Sequence, residues 1–134
     1  MRKFRKKIAF PMQILDSNTI TSKNKKTNWA FYNSNANGPK IHVLMNGLNN
    51  YPIDVKITNG KVGDITIARK LRYEKNSILL IDRAYFDINW WVKLQNQGIT
   101  FITRLKKTLD YNLMNEREVN KGNVLRELTI QPIG

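Results

Sequence analysis

The chain has 134 residues, enough for one domain, and its 41% of hydrophobic residues exclude a disordered basic tail because they can build a core. Lys and Arg number 23 against 10 Asp and Glu, so the formal net charge of +13 indicates an anionic partner, of which nucleic acid is the simplest. The absence of cysteine and the single histidine exclude disulfides, thiolate zinc sites and histidine clusters, so a metal ion would have to bind to oxygen.

Residues 1–11 are predicted to form a basic N-terminal segment, and residues 1–7 are expected to face water, as runs of like charge usually do. The stretch Ile8-Ala9-Phe10-Pro11 at its end is too short for the core of a signal peptide. No apolar run in the chain approaches the ~20 residues that span a bilayer. We therefore expect a cytoplasmic protein with no membrane partner.

Three strands are predicted next, at residues 12–20, 40–45 and 53–58. Each carries alternating or β-branched apolar residues, and the first contains Asp16. The polar loop at residues 21–39 is expected to hold one short strand at residues 29–32, and Asn46-Gly47 supplies a turn before the third strand. Strands joined by turns in this way imply an antiparallel meander.

Two helices are predicted in the second half of the chain. The first is expected from Asp64, as its capping residue, to Asn76, because apolar residues recur on one face. The second is expected from Asp87 to Gln97, and Gly98 supplies its C-terminal stop.

Two further strands follow these helices, at residues 78–81 and 99–103. The first is a continuous apolar run, typical of a central strand covered on both faces. Asp82 closes that run, so its carboxylate should face the crevice where open α/β sheets bind ligands.

The resulting order, β-β-β-α-β-α-β, combines an antiparallel hairpin set with parallel crossovers. This order is that of an RNase H-like mixed sheet of the α/β class, which we assign to residues 12–107. Residues 108–134 are predicted to begin a β-rich insertion, with Val119 and residues 124–130 flanking the turn of a hairpin.

Asp16 and Asp82 are the candidate metal ligands. They are 66 residues apart in the chain (82 − 16), but the first and fourth strands of an RNase H-like sheet lie side by side. Phosphodiester cleavage needs an activated nucleophile and neutralised phosphate charge, which two Mg²⁺ ions held by carboxylates supply. The alternative is that each aspartate is only a turn or capping residue.

Six short segments in order resemble successive motifs of insertion-sequence DDE transposases of the type 4 group. They are Leu15-Asp16-Ser17, Lys40-Ile41-His42-Val43-Leu44, Pro52 through Ile57-Thr58, Gly63-Asp64, Leu80-Ile81-Asp82-Arg83-Ala84-Tyr85 and Phe101-Ile102-Thr103-Arg104-Leu105-Lys106. The resemblance implies an RNase H-like fold and identifies Asp16 and Asp82 with the first two catalytic carboxylates. It also implies Mg²⁺ or Mn²⁺ in a two-metal site, and DNA strand cleavage and transfer by the complete enzyme.

The chain departs from the family pattern at three points. Ala84 stands where the family usually has Gly, and Gly63 replaces the usual His. The third carboxylate belongs to a Tyr-Arg-Glu-Lys signature that this sequence lacks, and we assign that role to none of Glu116, Glu118 and Glu127. The resemblance therefore implies a truncated catalytic domain with little or no strand cleavage alone.

Four side chains are candidate DNA contacts: Arg104, Lys106, Lys107 and Tyr85. The three cations leave the last core strand toward the predicted site, where each could bind a phosphate, and a solvated strand end is the alternative. Tyr85 could approach the substrate or pack in the core.

Structural roles are expected for several other polar or aromatic residues. His42 should make a structural hydrogen bond, and Asp64 and Asp87 should cap helices. Trp90 and Trp91 could stack on bases, but Trp91 fits the core better.

The leading function is that of a bacterial, nucleoid-associated DNA transposase fragment, with element ends and target DNA as partners and a homodimer in the full-length enzyme. Two alternatives stay open: a non-catalytic basic DNA-binding remnant, and an RNase H-like nuclease or resolvase. A metal titration distinguishes the DNA-binding remnant from the transposase, because a pure binding module has no metal site at Asp16 and Asp82.

Overall fold

A computed structural model describes residues 10–21, 31–33 and 36–133, and no helix in these ranges is long and apolar enough to cross a membrane. The chain divides into two compact units after Arg104, whereas the predicted boundary follows Lys107. The elements, in chain order, are β1 (Met12–Thr19), β2 (Phe31–Asn33), β3 (Ala36–Asn37), β4 (Pro39–Asn46), β5 (Pro52–Asn59), helix α1 (Asp64–Ala68), β6 (Ile78–Ile81), a 3-10 turn (Arg83–Tyr85), helix α2 (Ile88–Asn96), β7 (Thr100–Ile102), β8 (Tyr111–Lys121) and β9 (Val124–Pro132).

The first unit is built on a mixed sheet of five strands in the order β5-β4-β1-β6-β7. β1, β4 and β5 pair antiparallel, and β1, β6 and β7 pair parallel. This arrangement confirms the predicted RNase H-like sheet. Residues 1–9 of the predicted basic segment, and residues 29 and 30 of the predicted short strand, lie outside the described residues.

One face of the sheet packs against the helices to form the core. Strand alternation places Leu15 and Leu79 on that face, where they are buried with Leu44 and Leu94. Ile14 and Leu80 point to the other face and are only half-buried. The prediction that both faces of β6 are covered is therefore wrong, because the described elements cover only one.

The predicted helix from Asp64 to Asn76 is much shorter in the structure, since α1 ends at Ala68. Beyond it, backbone groups find partners outside a helix. The Tyr73 hydroxyl donates to the Ala68 carbonyl at 2.7 Å, and the Glu74 N–H donates to the Gln13 side chain at 3.0 Å. One local bond and one long-range bond thus replace the intrahelical ones that continued α-helix would require.

Helix α2 and its ends agree with the prediction. Asp87 is the N-cap, and its side chain accepts a hydrogen bond from the Trp90 N–H at 2.7 Å. Gly98 follows the helix with φ +73°, a conformation that favours glycine. Trp90 and Trp91 are both buried, and the ring of Trp91 stacks on Phe101 with centroids 4.8 Å apart.

The second unit contains the predicted hairpin, with longer strands than expected. β8 and β9 pair antiparallel around a turn at Gly122, whose φ is +60°. Two exposed ion pairs link the strands, Arg117 with Glu127 at 2.5 Å and Arg126 with Glu116 at 3.0 Å. Glu116 and Glu127, to which we do not assign the role of third carboxylate, thus pair with arginines across the hairpin.

Truncating the core under β6 should destabilise the fold. Leu79 is 0% exposed, so Leu79→Ala removes apolar contacts and leaves a cavity, with an expected loss of about 2–5 kcal/mol in the free energy of unfolding. Urea denaturation followed by tryptophan fluorescence measures this loss.

The matched control is Ile102→Ala on the neighbouring strand, whose side chain is 54% exposed. It should cost less than about 1 kcal/mol, in line with its smaller buried area. Equal losses in the two variants would contradict the described packing.

His42 is the one histidine of the chain, and its side chain on β4 is buried. Its Nε2 hydrogen bonds with the Thr58 hydroxyl at 2.9 Å, which is the structural bond predicted from the sequence. Burial lowers the pKa of His42 below 6.5, Asp64 opposes this effect, and Lys40 adds to it.

This lowered pKa predicts a pH dependence of stability. Between pH 6.5 and the folded pKa of His42 the unfolded chain binds more protons than the folded one, so stability is full above pH 6.5 and falls as the pH drops. His42→Gln should flatten this part of the profile, as measured by urea denaturation at pH 5.5 and 7.5. An unchanged slope in the variant would mean that His42 does not carry the effect.

Candidate active site

The register of β1 with β6 brings the two predicted site aspartates together. The parallel pairing runs from Met12 opposite Ile78 to Leu15 opposite Ile81. One residue further along each strand are Asp16 and Asp82, and Asp82 keeps an extended backbone with φ −81° and ψ 164°. Two residues that are distant in the chain therefore lie at adjacent positions on one edge of the sheet.

Both aspartates line the same open groove. The groove encloses about 270 Å³ and is lined by Ile14, Asp16, Leu80, Ile81, Asp82 and Arg104. Asp16 follows Leu15, which points into the core, so its own side chain leaves the opposite face of the strand and is exposed. Carboxylates in such a position are accessible to a cation and to substrate.

Asp82 already has a cation beside it. The Arg104 Nη2 lies 3.3 Å from Asp82 Oδ1 and 3.2 Å from Oδ2. The two side chains are 75% and 45% exposed, so solvent screens the pair and it contributes little to stability. The backbone N–H of Arg83 also donates to Oδ1, which orients the carboxylate.

The predicted DNA contacts differ in where the structure places them. Arg104 lies in the groove, and Lys106 and Lys107 are exposed. Tyr85 is 1% exposed and packs near Trp90 with ring centroids 6.5 Å apart, so packing, rather than contact with DNA, is the role that the structure gives it.

Tyr85 nevertheless keeps a polar group close to the aspartates. Its hydroxyl is buried and lies near the side chain of Ser17. Burial raises the pKa of Tyr85 to about 12, the nearby Ser17 side chain opposes the rise, and the carboxylates of Asp64, Asp16 and Asp82 add to it. The phenol is thus protonated at neutral pH.

Asp64 is not the helix cap that the sequence predicts. Gly63 occupies the N-cap position of α1, and the Asp64 carboxylate turns to the sheet. Its Oδ1 accepts hydrogen bonds from the Ser17 hydroxyl at 2.7 Å and from Lys40 Nζ at 2.8 Å. His42 Nδ1 lies 3.7 Å from the same oxygen.

Sequence reasoning missed this cluster, which we define as Ser17, Lys40, His42 and Asp64. One signal could have found part of it. Lys40 and His42 alternate with apolar residues on a predicted strand, which places both on one face of the sheet and calls for a buried partner. Nothing in the local pattern around Asp64 distinguishes that partner from a capping residue.

The aspartates fit part of a site for a divalent cation. They offer hard carboxylate oxygens in an open groove, and the guanidinium of Arg104 demonstrates that a positive group can sit against Asp82. In the described part of the chain no group of three or more His, Asp or Glu side chains is arranged for a metal ion. Asp16 and Asp82 are therefore an incomplete ligand set.

A family model described as "Transposase DDE domain" matches residues 11–131. This match covers most of the chain, and it includes both aspartates, Arg104 and the hairpin of the second unit. Members of this family depend in general on a divalent metal ion.

Two curated relatives carry transposase names. The Sinorhizobium fredii protein y4zB, named as a transposase, is 26% identical over 108 residues, which cover 81% of this chain and 30% of that protein. A Geobacillus stearothermophilus protein, named as a transposase for insertion sequence element IS5377, is 29% identical over 135 residues, covering 97% of this chain and 36% of that protein. The chain thus spans about a third of the length of these relatives.

A solved structure supports the fold. The piggyBac transposase, in a synaptic complex with hairpin DNA, matches 72% of this chain and 23% of its own with a TM-score of 0.53 and 15% identity. Membership of the type 4 group, with its Tyr-Arg-Glu-Lys signature, stays a prediction. The family match, the relatives and the five-stranded sheet agree, and the chain belongs to the transposase DDE domain family.

Proposed function

We propose that Asp16 and Asp82 are two metal-binding carboxylates of a site that, in the complete enzyme, cleaves DNA at the element ends and joins the freed strand to target DNA. One observation carries the proposal. The two aspartates are 66 residues apart in the chain (82 − 16), yet they occupy adjacent register positions and line one groove.

The ion that best suits these ligands is Mg²⁺, with Mn²⁺ as a substitute, because both prefer carboxylate oxygen. When bound, such ions activate the attacking oxygen and neutralise charge on the scissile phosphate. The residues of this chain hold and orient the site: β1 and β6 fix the two aspartates, and the N–H groups of Ser17 and Arg83 orient their carboxylates. A complete enzyme of this type would hold two metal ions.

Arg104, Lys106 and Lys107 are the proposed contacts to DNA phosphates. All three are exposed, and they lie close together in the chain just after the last strand of the sheet. Contacts of this kind add affinity that does not depend on sequence and that falls with salt. The net charge of +13 gives the whole chain the same preference for nucleic acid.

We expect this chain alone to cleave little or no DNA. Two carboxylates bind a divalent ion weakly, and no third carboxylate joins them among the described residues. The full-length enzyme is proposed to act as a homodimer on paired element ends, in association with the bacterial nucleoid.

The main alternative is a basic DNA-binding module without catalysis. The incomplete ligand set and the net charge of +13 favour it. An RNase H-like nuclease or resolvase is the third candidate, and it would cut specific DNA structures without joining strands. A metal titration separates the binding module from the other two.

Mn²⁺ should broaden the NMR signals of residues around the groove in the wild-type chain. Asp16→Asn and Asp82→Asn should each weaken Mn²⁺ binding by about tenfold or more, because each removes one of two charged ligands. A charge pair at 4 Å is worth roughly 1 kcal/mol in bulk water and roughly 4 kcal/mol near a protein surface.

The control is Asp54→Asn on β5, which removes the same charge from a carboxylate paired with Lys56. It should change Mn²⁺ affinity only slightly through the loss of long-range charge. Equal broadening in all four proteins would refute the metal site and support the binding module.

Arg104→Gln should have opposite effects on two ligands. Without the guanidinium beside Asp82, Mn²⁺ affinity should rise about two- to fivefold, which corresponds to the ≤ ~1 kcal/mol of an exposed ion pair. DNA affinity should fall, and the slope of log affinity against log salt should decrease by about 1.

Arg72→Gln is the matched control, because it removes an equal charge from another exposed residue. Arg72 precedes β6 and Asp82 follows it, so the removed charge is not the one paired with Asp82. Mn²⁺ affinity should change less than in Arg104→Gln. If both variants gained the same affinity, only net charge would be at work and the Asp82 pair would be irrelevant.

A further inference from the structure

The Asp64 carboxylate links α1 to two strands of the sheet. The Ser17 hydroxyl on β1 donates to Oδ1 at 2.7 Å, and Lys40 Nζ on β4 lies 2.8 Å from the same oxygen. Lys40 Nζ also donates to the Val62 carbonyl at 3.3 Å. Three elements thus meet at one carboxylate oxygen.

This ion pair is largely removed from water. The side chains of Lys40 and Asp64 are 15% and 17% exposed. Desolvation of two charges offsets most of their attraction, so a pair of apolar residues would stabilise the fold about as well. Stability alone therefore does not require a charged pair at this place.

The geometry that the cluster can specify is that of Asp16. Ser17 follows Asp16 on β1, and its backbone N–H donates to Asp16 Oδ1 at 2.8 Å. The two side chains leave opposite faces of the strand. The bond from the Ser17 hydroxyl to Asp64 therefore anchors, from behind the sheet, the peptide whose N–H orients the Asp16 carboxylate.

The contact with Asp64 lies where β1 loses one of its two neighbouring strands. The parallel ladder with β6 ends at Leu15 opposite Ile81, one residue before Asp16. On the other side, Asp16 and Ser17 still pair with Val43 and His42 of β4, the strand that also carries Lys40. Asp64 of α1 thus accepts a hydrogen bond from β1 just beyond the residue at which the pairing of β1 with β6 ends.

We infer that Asp64, held by Lys40, is a positioning residue that acts through Ser17 to fix the carboxylate of Asp16 toward the groove. The inference rests on the proposed function only in treating Asp16 as a metal ligand. It assigns to Asp64 no contact with metal or DNA. Groups that support a metal ligand from behind typically change metal affinity by about 10- to 100-fold when they are removed.

The test uses Ser17→Ala, which removes the hydroxyl but keeps every charge and the backbone N–H. Two quantities are measured by NMR: the χ1 rotamer populations of Asp16 from three-bond couplings, and Mn²⁺ affinity. We expect one dominant Asp16 rotamer in the wild type, rotamer averaging in Ser17→Ala, and about tenfold weaker Mn²⁺ binding. Ser17→Thr retains the hydroxyl and should restore both quantities.

Ser77→Ala controls for a loss of stability alone. The Ser77 hydroxyl is buried and donates to the Glu74 carbonyl at 2.7 Å, before the start of β6. This variant should lower the midpoint of thermal unfolding about as much as Ser17→Ala does, without changing the Asp16 rotamer or Mn²⁺ affinity.

The outcomes distinguish the inference from the proposed function. If the wild type binds Mn²⁺ and Ser17→Ala keeps the same rotamer and affinity, the positioning role of Asp64 is overturned and the metal site stands. If the wild type binds no Mn²⁺ but Ser17→Ala averages the Asp16 rotamer, the metal site fails and the positioning role stands. A rotamer that Ser17→Thr does not restore also overturns the positioning role.

Discussion

The parallel pairing of β1 with β6 is the constraint on which the candidate site depends. It sets Leu15 opposite Ile81, and both side chains are buried in the core. A slip by one residue would turn every side chain of one strand to the opposite face, exposing these apolar groups to water. The hydrophobic core therefore fixes the register, and the register in turn places Asp16 beside Asp82. Apolar packing thus sets which residues stand side by side, and polar contacts then orient their carboxylates.

Electrostatics sets how readily that geometry accepts a cation. The chain carries a net charge of +13, which attracts DNA and repels free metal ions. Arg104 partly neutralises Asp82, but their pair is exposed and weak, so the proposed contact of Arg104 with a phosphate would sacrifice little ion-pair energy. DNA that enters the groove brings negative charge with it. Under the proposed function, a divalent ion and the DNA would consequently support each other's binding.

The sequence predicts the parts of this structure that depend on local pattern. The apolar strands that contain Asp16 or lead to Asp82 are recognisable from periodicity, and the order of elements gives the sheet. The length of α1 is not predictable in the same way, because it ends where Tyr73 offers its hydroxyl to the Ala68 carbonyl, a contact that no helical pattern encodes. The partners of Asp64 are equally unpredictable from the sequence. An aspartate that begins a helix is normally a cap, and only the fold reveals that Lys40 lies 2.8 Å away.

The polar groups of the site lie on two faces of β1, one exposed to solvent and one largely covered. On the open face, Asp16 is exposed, and neighbouring carboxylates repel each other unless a cation lies between them. A surface used only to bind phosphate would be weakened by two acids at this position, whereas a metal site requires them. On the covered face, Asp64 and Lys40 neutralise each other away from most of the solvent. The charges on the covered face compensate each other inside the fold. In the groove, Asp16 is exposed and Asp82 has only a weak, exposed pair with Arg104, so both carboxylates stay accessible to a ligand, as the proposed metal site requires.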